Sequence, residues 1–400
     1  MRVCVIGAGL GGLLSAALLS AKGYEVDVFE KLPFYGGRFT SINYRGFEIS
    51  TGALHMIPHG SKGPLATLLK KAGSDVEIVD SKPEGEIFLN GERMEVRKKH
   101  FPFRSRMKFF TWYAWNALLG KDANLDEFGK QLDDFSYSFM KSFVGWSFSL
   151  MPKDITFSKM LAVYRQVAKY RGPGIPVGGC KAVADSLAEI IESNGGRIHL
   201  KTKIEGLKAG EGERVREAVF DGKSKNYDIF ISNIGHTLTA KLLSDSEYEK
   251  RYDAEPSRGV KYTLAIKEPF IGHTGVLFTL NTRRISGMNE VTNADPSLAP
   301  AGYHMLQAHQ PMETENVRYE IGLGLKDIEE ILSGIEYEVI SIQSYRDDWP
   351  VNRVKAGSDM GVRTPYGNLF VVGDGAKGDD IEVDGIALGV MEVMGVLEAL

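Results

Sequence analysis

The chain has 400 residues, enough for two domains and too many for one simple core. Apolar residues make up 43% and charged residues 25%, as in an ordinary globular protein, and the net charge of −4 argues against a general nucleic-acid binder. The two cysteines, Cys4 and Cys180, form no CxxC and no disulfide framework, which fits a reducing cytoplasm, and the histidines show no metal-ligand spacing.

In chain order, the first thirty-eight residues carry the strongest signal. Arg2 to Ile6 reads as a short buried strand, Leu13 to Lys22 as a helix, and Tyr24 to Phe29 as a second strand. Between strand and helix lies Gly7-Ala8-Gly9-Leu10-Gly11-Gly12. Gly7 permits the tight turn, Gly9 lets a pyrophosphate approach the backbone, and Gly12 lets the helix pack closely on the sheet. The helix N-terminus at Leu10 and Gly11 offers free amides and positive dipole to phosphates. Glu30, twenty-one residues after Gly9 and followed by Lys31, stands where a carboxylate binds ribose hydroxyls. The uncharged stretch from Val3 to Ala21 is long enough to span a bilayer. Its four glycines at dinucleotide-site spacing, and the acidic residue that closes the unit, favour the dinucleotide reading over a signal peptide or span.

Six residues past Glu30 comes Gly36-Gly37-Arg38, which an NAD domain does not generally need. The glycines let a loop lie against the cofactor, and a guanidinium fork suits a pyrophosphate. The stretch GAGLGGLLSAALLSAKGYEVDVFEKLPFYGGRF resembles the N-terminus of the flavin-containing amine oxidoreductase superfamily, with the phytoene desaturase and carotenoid isomerase group as its nearest branch. Ser50-Thr51-Gly52-Ala53 is similar to that family's Asp-x-Gly segment beside the flavin ring, with Ser50 where an acid is common. Pro176-Val177-Gly178-Gly179-Cys180, with a helix to Asn194, resembles its Pro-x-Gly-Gly block. Arg197 to Ile204 then alternates as a strand, and Asp228 to Asn233 resembles a strand ending in Ser-Asn. Asn368 to Asp374 resembles the late strand ending in Gly-Asp, whose carboxylate lies near the ribityl–phosphate region. Gly373 to Gly378 also fits GxGxxG, but only twenty-two residues follow it. It therefore reads as the second half of one FAD site, and no nicotinamide domain is expected.

The resemblance implies an α/β fold: a Rossmann-like FAD-binding domain of the glutathione-reductase type with a second, α+β substrate-binding domain. The FAD domain is expected to comprise residues 1–80, 173–254 and 351–400, and the substrate domain 81–172 and 255–350. It implies tight, non-covalent FAD held by Gly7, Gly9, Leu10, Gly11, Gly12, Glu30, Lys31, Gly36, Gly37, Arg38, Thr51, Gly52, Ala53, Ile204, Asn233, Trp349, Gly373, Asp374, Gly385 and Ile386.

Residues 101–148 hold fourteen of the forty aromatics, among them Trp112, Trp115 and Trp146. Arg97, Lys98, Lys99, Arg104, Arg106 and Lys108 adjoin or interrupt this block. It reads as a substrate-cavity wall or packing of the second domain, as a contact with the membrane surface, as both of these, or as a partner-protein surface. Strands are expected at Val260 to Ile266 and Val276 to Leu280, and part of a helix at Asp327 to Leu332. His55, three residues past Gly52, is the candidate base. The family resemblance suggests a lysine reaching the flavin through a water, for which Lys261 and Lys267 stand in suitable places, although a surface position is the default expectation for each.

Three functions follow. The first is a desaturase, dehydrogenase or isomerase exchanging hydride between flavin N5 and a carbon of an apolar, polyprenyl or carotenoid-like substrate, with oxygen or a quinone as external acceptor. The second is an amine or protoporphyrinogen oxidase. The third is a flavin-binding protein without turnover. A cytoplasmic location, at or away from the membrane surface, fits each.

Overall fold

The N-terminal apolar run becomes β1 (Arg2–Ile6) and α1 (Leu10–Ala21), followed by β2 (Glu25–Phe29). The structure is a computed structural model and describes every residue except 121, 211, 253, 358–359, 377–380 and 400. The helix starts three residues before the sequence-based expectation. Gly9, in extended conformation, is its N-cap and supplies no side-chain cap, so the first-turn amides stay available. A hairpin, β3 (Ser41–Tyr44) with β4 (Phe47–Ser50), leads to α2 (Pro64–Ala72) and β5 (Ile78–Asp80).

The chain then leaves for a second unit: β6 (Gly85–Leu89), β7 (Glu92–Glu95) and four helices, α3 (Phe103–Leu119), α4 (Leu125–Gly129), α5 (Asp134–Phe148) and α6 (Phe157–Tyr170). It returns through β8 (Gly174–Pro176), which pairs with β5, into α7 (Gly179–Ser193) and β9 (Arg197–His199). A three-stranded antiparallel meander follows, made of β10 (Gly206–Ala209), β11 (Val215–Phe220) and β12 (Lys223–Asn226). Next come β13 (Ile229–Ser232), α8 (His236–Leu243) and α9 (Ser246–Lys250). The second unit resumes with β14 (Gly259–Ile266), β15 (Val276–Thr279), β16 (Gly287–Glu290), β17 (His304–Pro311), α10 (Val317–Ile331) and β18 (Tyr337–Tyr345). The last crossing back supplies β19 (Leu369–Val371) and α11 (Glu382–Glu398).

Two sheets organise these elements. The first is parallel, in the order β19-β13-β1-β2-β9. Its central strand β1 is covered on both faces, which is why Val3 to Ile6 reads as an unbroken apolar run. α1 packs against α7 and α11 beside it. The second sheet has the order β18-β14-β17-β16-β15-β6-β7 and is antiparallel except between β15 and β6. One face of β14 (Val260, Tyr262, Leu264, Ile266) packs on Ile328 and Ile331 of α10. Its other face presents Lys261, Thr263 and Ala265 toward the hairpin side, where Ala265 joins a cluster with Ile49 and Met56.

One sequence expectation needs correction here. The strand expected at Arg197 to Ile204 stops at His199. Lys201 takes a left-handed φ of 54°, and the Lys201 and Thr202 amides turn to the carbonyls of Leu32 and Glu30, so the chain bends over the end of β2. The aromatic block is divided between packed and exposed side chains. Trp112 packs between Phe128 and Phe157, whereas Trp115 is 61% exposed.

Candidate active site

A cavity of about 960 Å³ runs between the two sheets, from the glycine loop after β1 to the aromatic side chains of α5. At its first end, Gly7 turns the chain with φ 91°. A Cβ on Gly12 would lie 2.1 Å from the Gly7 carbonyl oxygen, and one on Gly11 would lie 2.8 Å from the Gly373 amide nitrogen. These glycines bring β1, α1 and the loop after β19 to closer range than any side chain allows. Gly36 lies beside Gly9 and donates its amide to the Ala8 carbonyl at 2.7 Å. The Glu30 carboxylate accepts the Ala8 amide at 2.8 Å and the Leu32 amide at 2.9 Å, which fixes it at the mouth of the loop. The uncapped helix start, the absent Cβ atoms and the fixed carboxylate together fit the AMP half of a dinucleotide.

Farther along, Arg38 donates to the carbonyls of Pro350 (2.5 Å) and Val351 (2.7 Å) and pairs with Asp374. Asp374 also accepts the Arg353 amide at 2.7 Å. Burial by itself would raise the Asp374 carboxyl, but the neighbouring Arg38 and Arg353 charges hold it below the usual carboxylate range. An ionised carboxylate and a guanidinium thus stand preorganised on one wall, suited to ribityl hydroxyls and pyrophosphate.

Of the residues singled out from the sequence, the cavity wall brings together Gly7, Gly9, Leu10, Gly11, Glu30, Lys31, Gly36, Gly37, Arg38, Gly52, Ala53, Ile204, Asn233, Trp349, Gly373, Asp374 and Ile386. Gly12, Thr51 and Gly385 lie behind it. Gly12 abuts Gly7, Thr51 Oγ1 donates to the Gly37 carbonyl at 2.9 Å, and Gly385 is buried in the first turn of α11. In the second glycine motif, Lys377 and Gly378 lie outside the described residues.

His55 is a correction. The neighbours Ala53, Leu54 and Met56 line the cavity, but His55 is fully buried away from it. Its Nε2 accepts the Cys180 amide at 3.1 Å, close to the start of α7. Burial, then the nearby Lys261 charge, lowers its pKa to about 3; its place behind the wall, bonded to the α7 backbone, makes it a structural acceptor rather than a base facing the ring. The two lysines also part company. Lys267 is exposed beside Glu336, whereas Lys261 is fully buried and donates to the Ser50 carbonyl (2.5 Å), Ser50 Oγ (2.7 Å) and the Gly52 carbonyl (2.7 Å). Burial lowers the Lys261 pKa to about 7, while three acceptors match the three hydrogens of its charged form. Gln343 Nε2 and the Tyr345 hydroxyl reach the same two carbonyls at 3.2 and 2.7 Å. Ser50, in the place of the expected acid, is therefore a hydrogen-bond partner of Lys261.

Two further groups escaped the sequence reading. Ser149 lines the cavity at the end of α5 with a left-handed φ of 53°, and its hydroxyl lies 2.6 Å from His309 Nε2. His309 pairs across strands with Lys261, and burial followed by that charge lowers its pKa to about 3. Behind the wall there is thus a neutral imidazole able to take a proton through the Ser149 hydroxyl. A lysine inside an otherwise apolar strand was a usable signal for Lys261; Ser149 and His309 had none. Among the described residues no group of three His, Cys, Asp or Glu is arranged to hold a metal ion, and no helix is long and apolar enough to cross a membrane.

Comparison with known proteins agrees with this geometry. Residues 5–72 match the NAD(P)-binding Rossmann-like domain family. An uncharacterised protein of Methanocaldococcus jannaschii is 44% identical over the full length of both chains. An oxidoreductase from Methanosarcina mazei, of known crystal structure, is 42% identical with a TM-score of 0.92, covering 99% of this chain and 100% of its own. A 4,4'-diapophytoene desaturase of a Methylomonas species is 24% identical over 87% of this chain and 83% of its own. Putrescine oxidase shares the fold, with a TM-score of 0.69 at 16% identity over the whole of both chains. The chain belongs to one family with the Methanocaldococcus jannaschii protein and the Methanosarcina mazei oxidoreductase, shares the fold of putrescine oxidase, and is an FAD-dependent oxidoreductase.

Proposed function

We propose that this oxidoreductase acts on a long apolar molecule of polyprenyl or carotenoid type, as a desaturase, dehydrogenase or isomerase. The observation that carries the reading is the far half of the cavity, walled by Phe139, Phe143, Trp146, Val276 and Phe278. Such a wall suits a hydrocarbon and offers few partners to a small polar amine. The relatives named as a diapophytoene desaturase and, in carrot, a prolycopene isomerase support it.

A flavin held here would supply hydride chemistry at its N5. The chain's own residues do the rest. Gly7, Gly9, Leu10, Glu30, Arg38 and Asp374 would hold and orient the cofactor, and Lys261 grips from behind the Ser50–Gly52 segment, whose Gly52 lines the cavity. Aromatic side chains hold the substrate carbon in place and exclude water, which suits a reaction governed by positioning. The neutral His309, reached through Ser149, is a proton acceptor for the carbon next to the one that yields hydride. A base this weak is adequate where hydride departure leaves a cationic, hence strongly acidic, carbon framework.

The test is to incubate oxidised and reduced holoenzyme anaerobically with polyprenyl hydrocarbons, with amines and with porphyrinogens, following products and flavin absorbance. Oxidation or isomerisation of a polyprenyl compound is expected. Turnover of a small amine with peroxide release, and of no polyprenyl compound, moves the protein to the oxidase reading. No turnover of any member leaves a flavin-binding protein without catalysis.

A further inference from the structure

α3 is apolar on two sides. Its inner side, Phe109 and Trp112, packs against Phe128, Phe157 and Tyr164. Its outer side has no such cover. Phe103, Met107, Phe110, Ala114 and Leu118 recur at spacings of four, three, four and four and so share one face. All five are exposed, Phe103 by 68% and Leu118 by 81%. Along the flanks of this stripe stand Arg104, Lys108 and Trp115 on one side and Arg106 and Tyr113 on the other. Residues 97–119 contain six lysines and arginines and no carboxylate, although the whole chain is negative. Lys98 stands 5.8 Å from the Phe110 ring and Arg106 lies 5.7 Å from the Phe103 ring, so cations border the apolar stripe itself.

We infer that α3 docks the enzyme on an anionic lipid surface, its outer stripe sunk among the acyl chains and its cations at the headgroups. An apolar stripe with basic flanks and a boundary tryptophan fits an interface between hydrocarbon and water. A second copy of the chain is a poor occupant, because a two-fold contact would set like charges against each other. The docked face is joined to the cavity. Glu95 and Val96 of the cavity wall run directly into Arg97–Lys99, and α6, on which the inner side of α3 rests, contributes Val167 to the same wall. This orientation offers the cavity to an apolar substrate dissolved in the bilayer, and to that extent rests on the proposed substrate class.

The experiment sediments the FAD-loaded protein with vesicles of phosphatidylcholine, alone or with about one-third phosphatidylglycerol. Binding to the anionic vesicles is expected, weakened about tenfold or more by raising salt to about 0.5 M. Phe110→Asp with Leu118→Asp should lower affinity by about a hundredfold or more while the protein stays yellow, since both side chains are exposed. Lys98→Glu with Lys99→Glu should abolish the preference for anionic vesicles. Wild-type protein left in solution by both vesicle types overturns the inference, as does equal binding of wild type and the aspartate double variant. A concentration-dependent dimer that the aspartate substitutions dissolve would assign the face to a second copy instead. These vesicles hold no substrate, so the outcome is independent of whether polyprenyl turnover is found.

Discussion

Lys261→Met isolates the most unusual charge in the protein. The lysine is fully buried, and its pKa is lowered from 10.5 to about 7. Between those values the unfolded chain carries the proton and the folded chain does not, so folding stability rises with pH through this window. Each pH unit contributes about 1.4 kcal/mol, so from about pH 7.5 to about pH 9.5 the wild type gains about 2–3 kcal/mol from this group alone. Methionine contributes no such slope. The lost hydrogen bonds add a nearly constant cost of about 1–2 kcal/mol. That cost is moderated because Gln343 still serves the Ser50 carbonyl and Tyr345 the Gly52 carbonyl. Urea unfolding of both holoproteins, with FAD in excess at each pH, gives the difference directly. The gap between wild type and variant should widen by about 2–3 kcal/mol across the window. Curves that stay parallel within about 0.5 kcal/mol would refute the reasoning, for then Lys261 keeps its proton on folding.

Other perturbations read the remaining parts of the site. Glu30→Ala should weaken FAD binding by about 1–3 kcal/mol, the scale of lost charged hydrogen bonds, as followed by quenching of flavin fluorescence; unchanged affinity would remove Glu30 from the cofactor site. Gly11→Ala sets a Cβ within 2.8 Å of both the Gly373 amide nitrogen and Asn233 Oδ1 and should yield folded but colourless protein. A yellow variant of normal affinity would show that the loop after β19 yields easily. His309→Gln should slow substrate-dependent flavin bleaching about tenfold or more while leaving FAD content unchanged, and Ser149→Ala should match it. Equal rates in all three proteins would exclude the pair from proton transfer.

The cofactor-binding start of the chain was legible because its determinants are local. A strand, a glycine turn, a helix and an acidic residue follow one another within thirty residues, and each is required by backbone geometry rather than by distant partners. The neighbourhood of the reaction was not legible in this way. Lys261 and His309 meet only through the pairing of β14 with β17, and Ser149 arrives from the end of a helix in another segment. His55 shows the limit of adjacency. Nearness to Gly52 in sequence says which strand-end a residue follows, not whether it faces the cavity, and here it faces α7. Trp112 and Trp115 make the same point on a helix, where a three-residue step separates a packed side chain from an exposed one.

The grip on residues 50–52 bears on how molecules come and go. Lys261, Gln343 and Tyr345 belong to the seven-stranded sheet, and the backbone they hold is the end of the β3–β4 hairpin and the turn after it, which follow the glycine loop of the parallel-sheet unit in the chain. Separating the units at this point would break buried hydrogen bonds, which favours a site that stays closed here rather than one that opens like a clam. A long substrate of the proposed class would then enter end-on, and its product would back out or thread through. Turnover of such a substrate would then be gated where Phe139, Phe143 and Trp146 line the cavity, and narrowing or widening it there should alter residence time without touching the flavin.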